Sequence, residues 1–455
     1  MPRRRMQNIQ LRALLTEAHM TAAELARAVN LLGRTENLVL RYDRTAVAHW
    51  LAGSRPRSPV PYLVAEVLTR RTGRLVHAVE TGLLPDAEDG GRRDGAPVPA
   101  VEDGARALVQ LCRTDTDPGR RSGLVALVYR QRRPRIEGLI VPSPAPAVRV
   151  GRGGGRLADA DLARLEFMVS RFADQWTRFG GGYARALPAA LLGNDVGVLL
   201  AQAMPPQPRT RLMSIAAQLA YVLGGMSADA GYQGLAQRYY ELALAVADEG
   251  GDRRVRAMTL RSMSVQAARL GAARYAADLA GLAVATAAHV PDADLRCFVH
   301  VQHAYGLALL DERRAAYEAL DRAEGFLEQA SGAPGPFTSY PKAGFAYRKG
   351  RTLHLLGDFT AALSALRYAA EGRAPHQRRL TALSEARVAL LLLELGRVEE
   401  ACAYVGTFID RYPLLISHWS AVVSAELQAA LAAFPRVRQA AALAERLRLL
   451  GITVA

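Results

Sequence analysis

The chain has 455 residues, enough for two or three domains, and its 50% hydrophobic and 22% charged residues are an ordinary balance for a globular protein. No run of 18 or more apolar residues occurs, which argues against a membrane partner, and aromatics at only 6% leave the apolar content to Ala and Leu, which favours helix. The net charge of +15 points to a polyanionic partner, usually nucleic acid or an anionic membrane surface.

The basic residues are almost all arginine. Lys342 and Lys349 are the two lysines, and neither follows a glycine, so a GxxxxGK[ST] phosphate loop is excluded. Cys112, Cys297 and Cys402 form no CxxC and no disulfide framework, which suits a reducing, cytoplasmic setting. The start MPRRRMQNIQ leads into no apolar h-region and is not read as a secretory signal. Residues 1–85 hold 13 Arg against 6 acids, so the surplus charge sits near the N-terminal end.

Taken in chain order, residues 7–18 carry Ile9, Leu11, Leu14, Leu15 and Ala18 at helical spacing. Thr21 and Glu24 form a capping box that starts a second helix, with Leu25, Ala26 and Val29 on one face. Asp43 caps a third helix over 44–52, which Gly53 stops. A fourth helix runs from Tyr62 to Arg71. Between helices two and three lies NLLGRTENLVLRY (30–42), longer than the usual three- or four-residue turn. A wing, an extended excursion and an extra helical turn all fit it.

The blocks TAAELA (21–26), TAVAHWLAG (45–53) and RPRSPVPYLVAEVL (55–68) resemble the phage-repressor-like (XRE) helix-turn-helix family. The resemblance implies a recognition helix that docks through Val47, Trp50 and Leu51 and offers a polar side to base edges. Arg44, Thr45 and His49 lie on that second side, where Arg suits a guanine edge and Thr and His offer single bonds. Arg55 and Arg57 follow the helix, placed for phosphates.

Residues 86–104 and 142–156 are rich in Gly and Pro and read as linker, so 86–158 is a linker with a small irregular or helical segment. Within it, GLVALVY (123–129) fits a buried helix or a strand. From 159 the pattern is helix after helix. Gly231, Gly271, Asp311, Gly357 and Gly396 align as turns. Five residues after each comes Ala236, Ala276, Ala316, Ala362 or Ala401, and seven before each comes Gly224, Ser264, Ala304, Gly350 or Ala389. Twelve residues on come Ala243, Ala283, Ala323, Ala369 and, as the exception, Phe408. Paired helices need small side chains where they approach and a glycine at the tight turn. This register resembles the tetratricopeptide (TPR) repeat, with a period nearer 40 than 34. A divergent sixth pair over about 414–450 would cap the array. The expected fold is all-α: a helix-turn-helix domain over 1–85, then an α-solenoid of TPR-like hairpins over 159–455.

The remaining motifs are weak. His300 and His303 are three apart beside Cys297 but show no further ligand, so they are read as packing and no metal or other cofactor is expected. GRGGG (151–155) reads as a flexible linker, and FGGGYAR (179–185) as an interhelical turn rather than an anion site. No catalytic signature is present, so no enzyme is expected.

RYDRTAVAHWLAG (41–53), FGGGYAR, DAGYQGLAQRYYELAL (229–244) and RSMSVQAARLG (261–271) resemble a large actinobacterial group of regulators with an XRE-like head, a linker and TPR-like repeats. The resemblance implies a transcriptional regulator of development or secondary metabolism whose repeats receive a peptide, small-molecule or protein signal. The expected partners are double-stranded DNA, a second copy of the chain and such an effector. The signal site is expected on the concave helices, with Arg261, His303, Tyr305 and Arg348 as candidates. The alternative is a TPR-type interaction scaffold without specific DNA binding.

Overall fold

The computed structural model describes residues 7–35, 38–72, 76, 78–84, 104–131, 159–331 and 341–453. The expected linkers at 86–103 and 142–156, with GRGGG, lie outside the described residues. Among the described residues every regular element is a helix. No helix there is long and apolar enough to cross a membrane.

The head holds α1 (Ile9–Glu17), α2 (Ala22–Thr35), α3 (Arg44–Leu51) and α4 (Val60–Thr72). The stripe Leu11, Leu14 and Leu15 of α1 meets Leu25, Ala26 and Val29 of α2, Val47 and Trp50 of α3, and Leu63, Val64 and Leu68 of α4 in one core. The capping box forms: Glu24 N–H donates to Thr21 Oγ1 at 3.2 Å and Thr21 N–H to Glu24 Oε2 at 2.8 Å. The Thr21 N–H bond, and after it a bond from the Thr21 hydroxyl to Glu24 Oε2 at 2.7 Å, hold the Glu24 carboxyl below its ordinary range.

Next come α5 (Gly104–Thr116) and α6 (Pro118–Val125), within the stretch expected as linker. They belong to the repeat body: Leu108 and Cys112 of α5 lie in the same core as α10 and α11. After α6 the chain has no regular structure over 127–131, so GLVALVY is part helix and part irregular strap. Its neighbouring side chains serve two cores: Val128 enters the head core and Tyr129 the repeat core. The strap fits because residue 234 is glycine; a Cβ there would lie 2.2 Å from the Leu127 carbonyl. Gln237 then reads both backbone groups of Arg130, at 2.8 and 2.6 Å.

Helix α7 (Asp159–Phe179) leads through the FGGGYAR turn to α8 (Ala186–Ala190), a wider π-turn over 191–196 and α9 (Gly197–Leu200). Five hairpins follow: α10 (Pro206–Asp229) with α11 (Gln233–Glu249), α12 (Arg253–Arg269) with α13 (Ala273–Ala287), α14 (Ala293–Ala308) with α15 (Arg313–Glu328), α16 (Lys342–Leu355) with α17 (Phe359–Glu371), and α18 (Arg378–Glu394) with α19 (Val398–Arg411). The sixth pair is α20 (His418–Leu431) and α21 (Arg438–Thr453).

All five aligned turn residues have positive φ, from 59° at Asp311 to 90° at Gly231, which explains glycine at four of them. The five alanines after the turns are 0% exposed. The small residues before them mark the close approach: a Cβ on Gly224 would lie 2.6 Å from the Tyr240 ring, and one on Gly350 2.7 Å from Leu366. Ser264 uses its hydroxyl there, donating to the Ala276 carbonyl at 2.7 Å. Ala276→Leu is therefore expected to overpack α12 on α13 and cost about 1–3 kcal/mol in denaturant unfolding. An unchanged midpoint would deny the close approach.

The array closes on itself. Arg379, at the start of α18, donates to the Trp176 carbonyl of α7 at 3.0 Å and to Asp229 at 3.2 Å. Ser417, the N-cap of α20, also donates to Asp229, at 2.8 Å. Phe179 and Gly182 exchange backbone bonds with Ile416 at 2.8 and 3.0 Å. FGGGYAR is thus an interhelical turn, and its glycines let the two ends touch. A Cβ on Gly181 would lie 2.0 Å from the Met226 carbonyl.

Candidate functional site

Two places gather polar side chains with chemistry to offer. The first is α3. It starts at Arg44 because the Asp43 carboxylate accepts the Ala46 N–H at 2.9 Å. Val47 and Trp50 are buried, and Trp50 meets the Tyr42 ring edge-on with centroids 5.1 Å apart. The outer side carries Arg44, Thr45, Ala48 and His49, all exposed. Arg55 and Arg57 are exposed just beyond the helix, and so is Arg41 before it.

The 30–42 segment resolves into extra helix and an extended return. α2 continues to Thr35, and residues 38–43 run back without regular structure. Asn30 ties the return down: its amide donates to the Tyr42 carbonyl at 2.7 Å and accepts the Tyr42 N–H at 2.9 Å. That clamp sets where α3 begins relative to α2.

The second place is a cavity of about 690 Å³ inside the repeats, walled by α7, α10, α12, α14, α16, α18 and α20. Arg261 and Arg348, two of the sequence-derived candidates, line it. Tyr305 sits behind, its ring under Arg348 at 4.7 Å and its hydroxyl accepting from Arg351 at 3.1 Å. His303 is not part of the lining; it faces α13, 3.8 Å from where a Gly281 Cβ would be. His300 packs against Phe326, and burial pushes it down to about 4.

Sequence reasoning missed Arg269, Arg379, Tyr347, Trp176 and Trp419, which also line the cavity. Arg269 stacks on Trp419 at 4.6 Å, and Arg261 on Phe298 at 4.0 Å. Tyr347 reports the local field. Burial alone would push its phenol up, yet the guanidiniums of Arg351, Arg387, Arg269 and Arg348 outweigh that and bring it down to about 7.

Cavity and head lie one residue apart on α12's end. Arg269 lines the cavity, while the next carbonyl, of Leu270, accepts a hydrogen bond from Arg70 of α4. Arg70 is also ion-paired at 2.9 Å with Glu66, which accepts the Gln131 N–H of the strap at 3.1 Å. Burial raises the Glu66 carboxyl, and Arg70 opposes that.

Residues 11–84 match the family described as the SP15 N-terminal domain, a span that coincides with the head. No curated protein matches the chain.

Proposed function

We propose that this protein is a sequence-specific DNA-binding transcriptional regulator, in which the head reads a major groove through α3 and the repeats pair two copies and receive a signal. The observation that carries the reading is the two-sidedness of α3. Arg44, Thr45 and His49 stand exposed on a helix whose other side is fixed by Val47 and Trp50. A helix so held can enter a groove without unfolding its own domain. The 13 arginines of residues 1–85 add affinity for phosphates of any sequence. One such head makes a small interface, so two heads on an inverted repeat are expected. The Arg269–Leu270 step beside Arg70 supports a signal passing from cavity to head.

The test separates base contact from phosphate contact. Arg44→Ala is expected to cost about 1–3 kcal/mol on the specific duplex and much less on random DNA. Arg55→Ala is expected to weaken both alike and to lower the salt slope by roughly one. The measurement is titration on both duplexes at several salt concentrations. Identical behaviour of the two variants would mean that α3 is aimed elsewhere.

A second reading rests on Leu31 and Val39, large apolar side chains 64% and 86% exposed on the head. They favour a protein-interaction scaffold. That reading requires weak retention on heparin and on random DNA.

A further inference from the structure

We propose that the repeat cavity binds a small organic polyanion: a planar apolar body carrying at least two phosphate or carboxylate groups. The proposal deepens the sensor reading above and rests on it for its biological meaning.

The charge balance of the lining comes first. Seven arginines face three aspartates: Arg171, Arg254, Arg261, Arg269, Arg348, Arg373 and Arg379 against Asp174, Asp229 and Asp294. The three carboxylates are already engaged. Asp174 pairs with Arg171 at 2.9 Å. Asp229 takes the Gly181 N–H at 2.7 Å together with Arg379 and Ser417. Asp294 accepts the Ser331 N–H and hydroxyl at 3.0 and 3.1 Å. Arg254 is ion-paired with Asp292 just outside the lining, and the cavity still carries more guanidiniums than carboxylates. A partly enclosed cavity strengthens such charges, because little water screens them. A ligand that neutralises them gains what water cannot supply.

The geometry says where the anionic groups go. The Arg261 guanidinium lies over the Phe298 ring at 4.0 Å and that of Arg269 over Trp419 at 4.6 Å. A guanidinium held over a ring by this contact still has N–H donors to offer a carboxylate or phosphate. The Arg261 Nε is buried with no hydrogen-bond partner. A buried donor left unmet costs free energy until a ligand meets it. The depressed phenol of Tyr347 is the same field acting on a weak acid beside Arg269 and Arg348.

The walls give the body of the ligand. Trp176, Tyr221, Tyr240 and Met258 are apolar surface between the arginines. A volume of about 690 Å³ lies in the range of small-ligand sites. A bare inorganic anion would leave that surface wet, and a neutral ring would leave the Arg261 Nε donor unmet.

The test is calorimetric titration of the full chain at constant ionic strength. ADP supplies phosphate on a planar ring, and naphthalene-2,6-dicarboxylate supplies carboxylates on one. Adenosine and 2,6-dimethylnaphthalene are the neutral rings, and pyrophosphate is charge without a ring. At least one planar dianion is expected to bind roughly tenfold or more tightly than both its neutral ring and pyrophosphate, and which one binds tells phosphate from carboxylate. Arg261→Gln and Arg269→Gln should each weaken that binding by roughly tenfold. Arg314→Gln, at an exposed arginine of α15 outside the cavity that pairs with Glu318 at 3.0 Å, should leave it unchanged. All variants should keep the parent far-UV spectrum. R261K and R269K, which keep the charge and lose the stacked fork, should also bind weakly. The proposal falls if neither dianion outbinds its neutral ring, or if the Arg261 and Arg269 variants bind like the parent. DNA titration with and without the ligand keeps the two readings apart. Ligand binding that leaves DNA affinity unchanged sinks the sensor reading alone, and no ligand binding with DNA binding intact sinks this proposal alone.

Discussion

Asp115→Ala is expected to lower the stability of the repeat body by about 3–5 kcal/mol, the largest single-residue loss in that part of the chain. Asp115 sits on α5, 2% exposed, and its two oxygens hold Arg185, which is 3% exposed. The hydroxyl of Tyr239 on α11 donates to the same carboxylate at 2.7 Å. Removing the carboxylate leaves a guanidinium enclosed beside Tyr232 and a tyrosine hydroxyl without that acceptor. Arg121 is 3.7 Å from the other oxygen and cannot replace it, since it too is a cation. The cost is that of a stranded charge rather than of a lost contact. A paired change, Asp115→Leu with Arg185→Met, should therefore recover most of the loss. Guanidinium unfolding of the three proteins decides the matter. A single variant within about 1 kcal/mol of the parent would mean that the pair is already solvated.

Trp50→Ala should abolish DNA binding by unfolding the head, at a cost of about 3–5 kcal/mol. Small domains have about 5–15 kcal/mol in all, so this is a large share. Trp50 is 4% exposed, and it joins α3 to the Tyr42 end of the return segment. Without the indole, neither α3 nor the Asn30–Tyr42 clamp keeps its seat. Specific and random duplexes should be lost together, with a fall in helical signal confined to the head's share. Trp50→Phe should keep both the helicity and the binding. Specific binding by Trp50→Ala at parental strength would show that α3 does not need its docked side.

How much of this was legible beforehand depended on distance along the chain. The hairpin turns could be read because one glycine at positive φ and one buried alanine recur at fixed offsets. The capping box at Thr21 and the cap at Asp43 are local chemistry and were legible for the same reason. The shape of the 30–42 segment was not, since it turns on one Asn30 amide reaching twelve residues ahead. Nor was the role of 104–131. α5 carries a clear apolar stripe, with Leu108, Leu111 and Cys112, but a stripe does not name its partner, and only contact with α11 and the head reveals its place. The cavity was half legible. Arg261 and Arg348 were sequence-derived candidates and line it. Trp176, Arg379 and Trp419 line it because residues some 200 apart meet, as Arg379 and Trp176 do at a separation of 203. His303 lies on α14 outside that lining.

The contact of α7 with α18 and α20 has a further meaning for how the chain comes to be folded. An open array of repeats can form from either end, each pair resting on its neighbour, and its outer pairs fray first. Here the first and last parts share Asp229, and Arg379 and Ser417 reach it from 150 and 188 residues away. During synthesis the N-terminal hairpins must wait, with that carboxylate lacking these two donors until residue 379 and then residue 417 have left the ribosome. Completion is then a single late event, and opening costs the whole circuit rather than one terminal pair. The array behaves less like a stack than like a buckled belt, whose tension every link shares once the final residues engage.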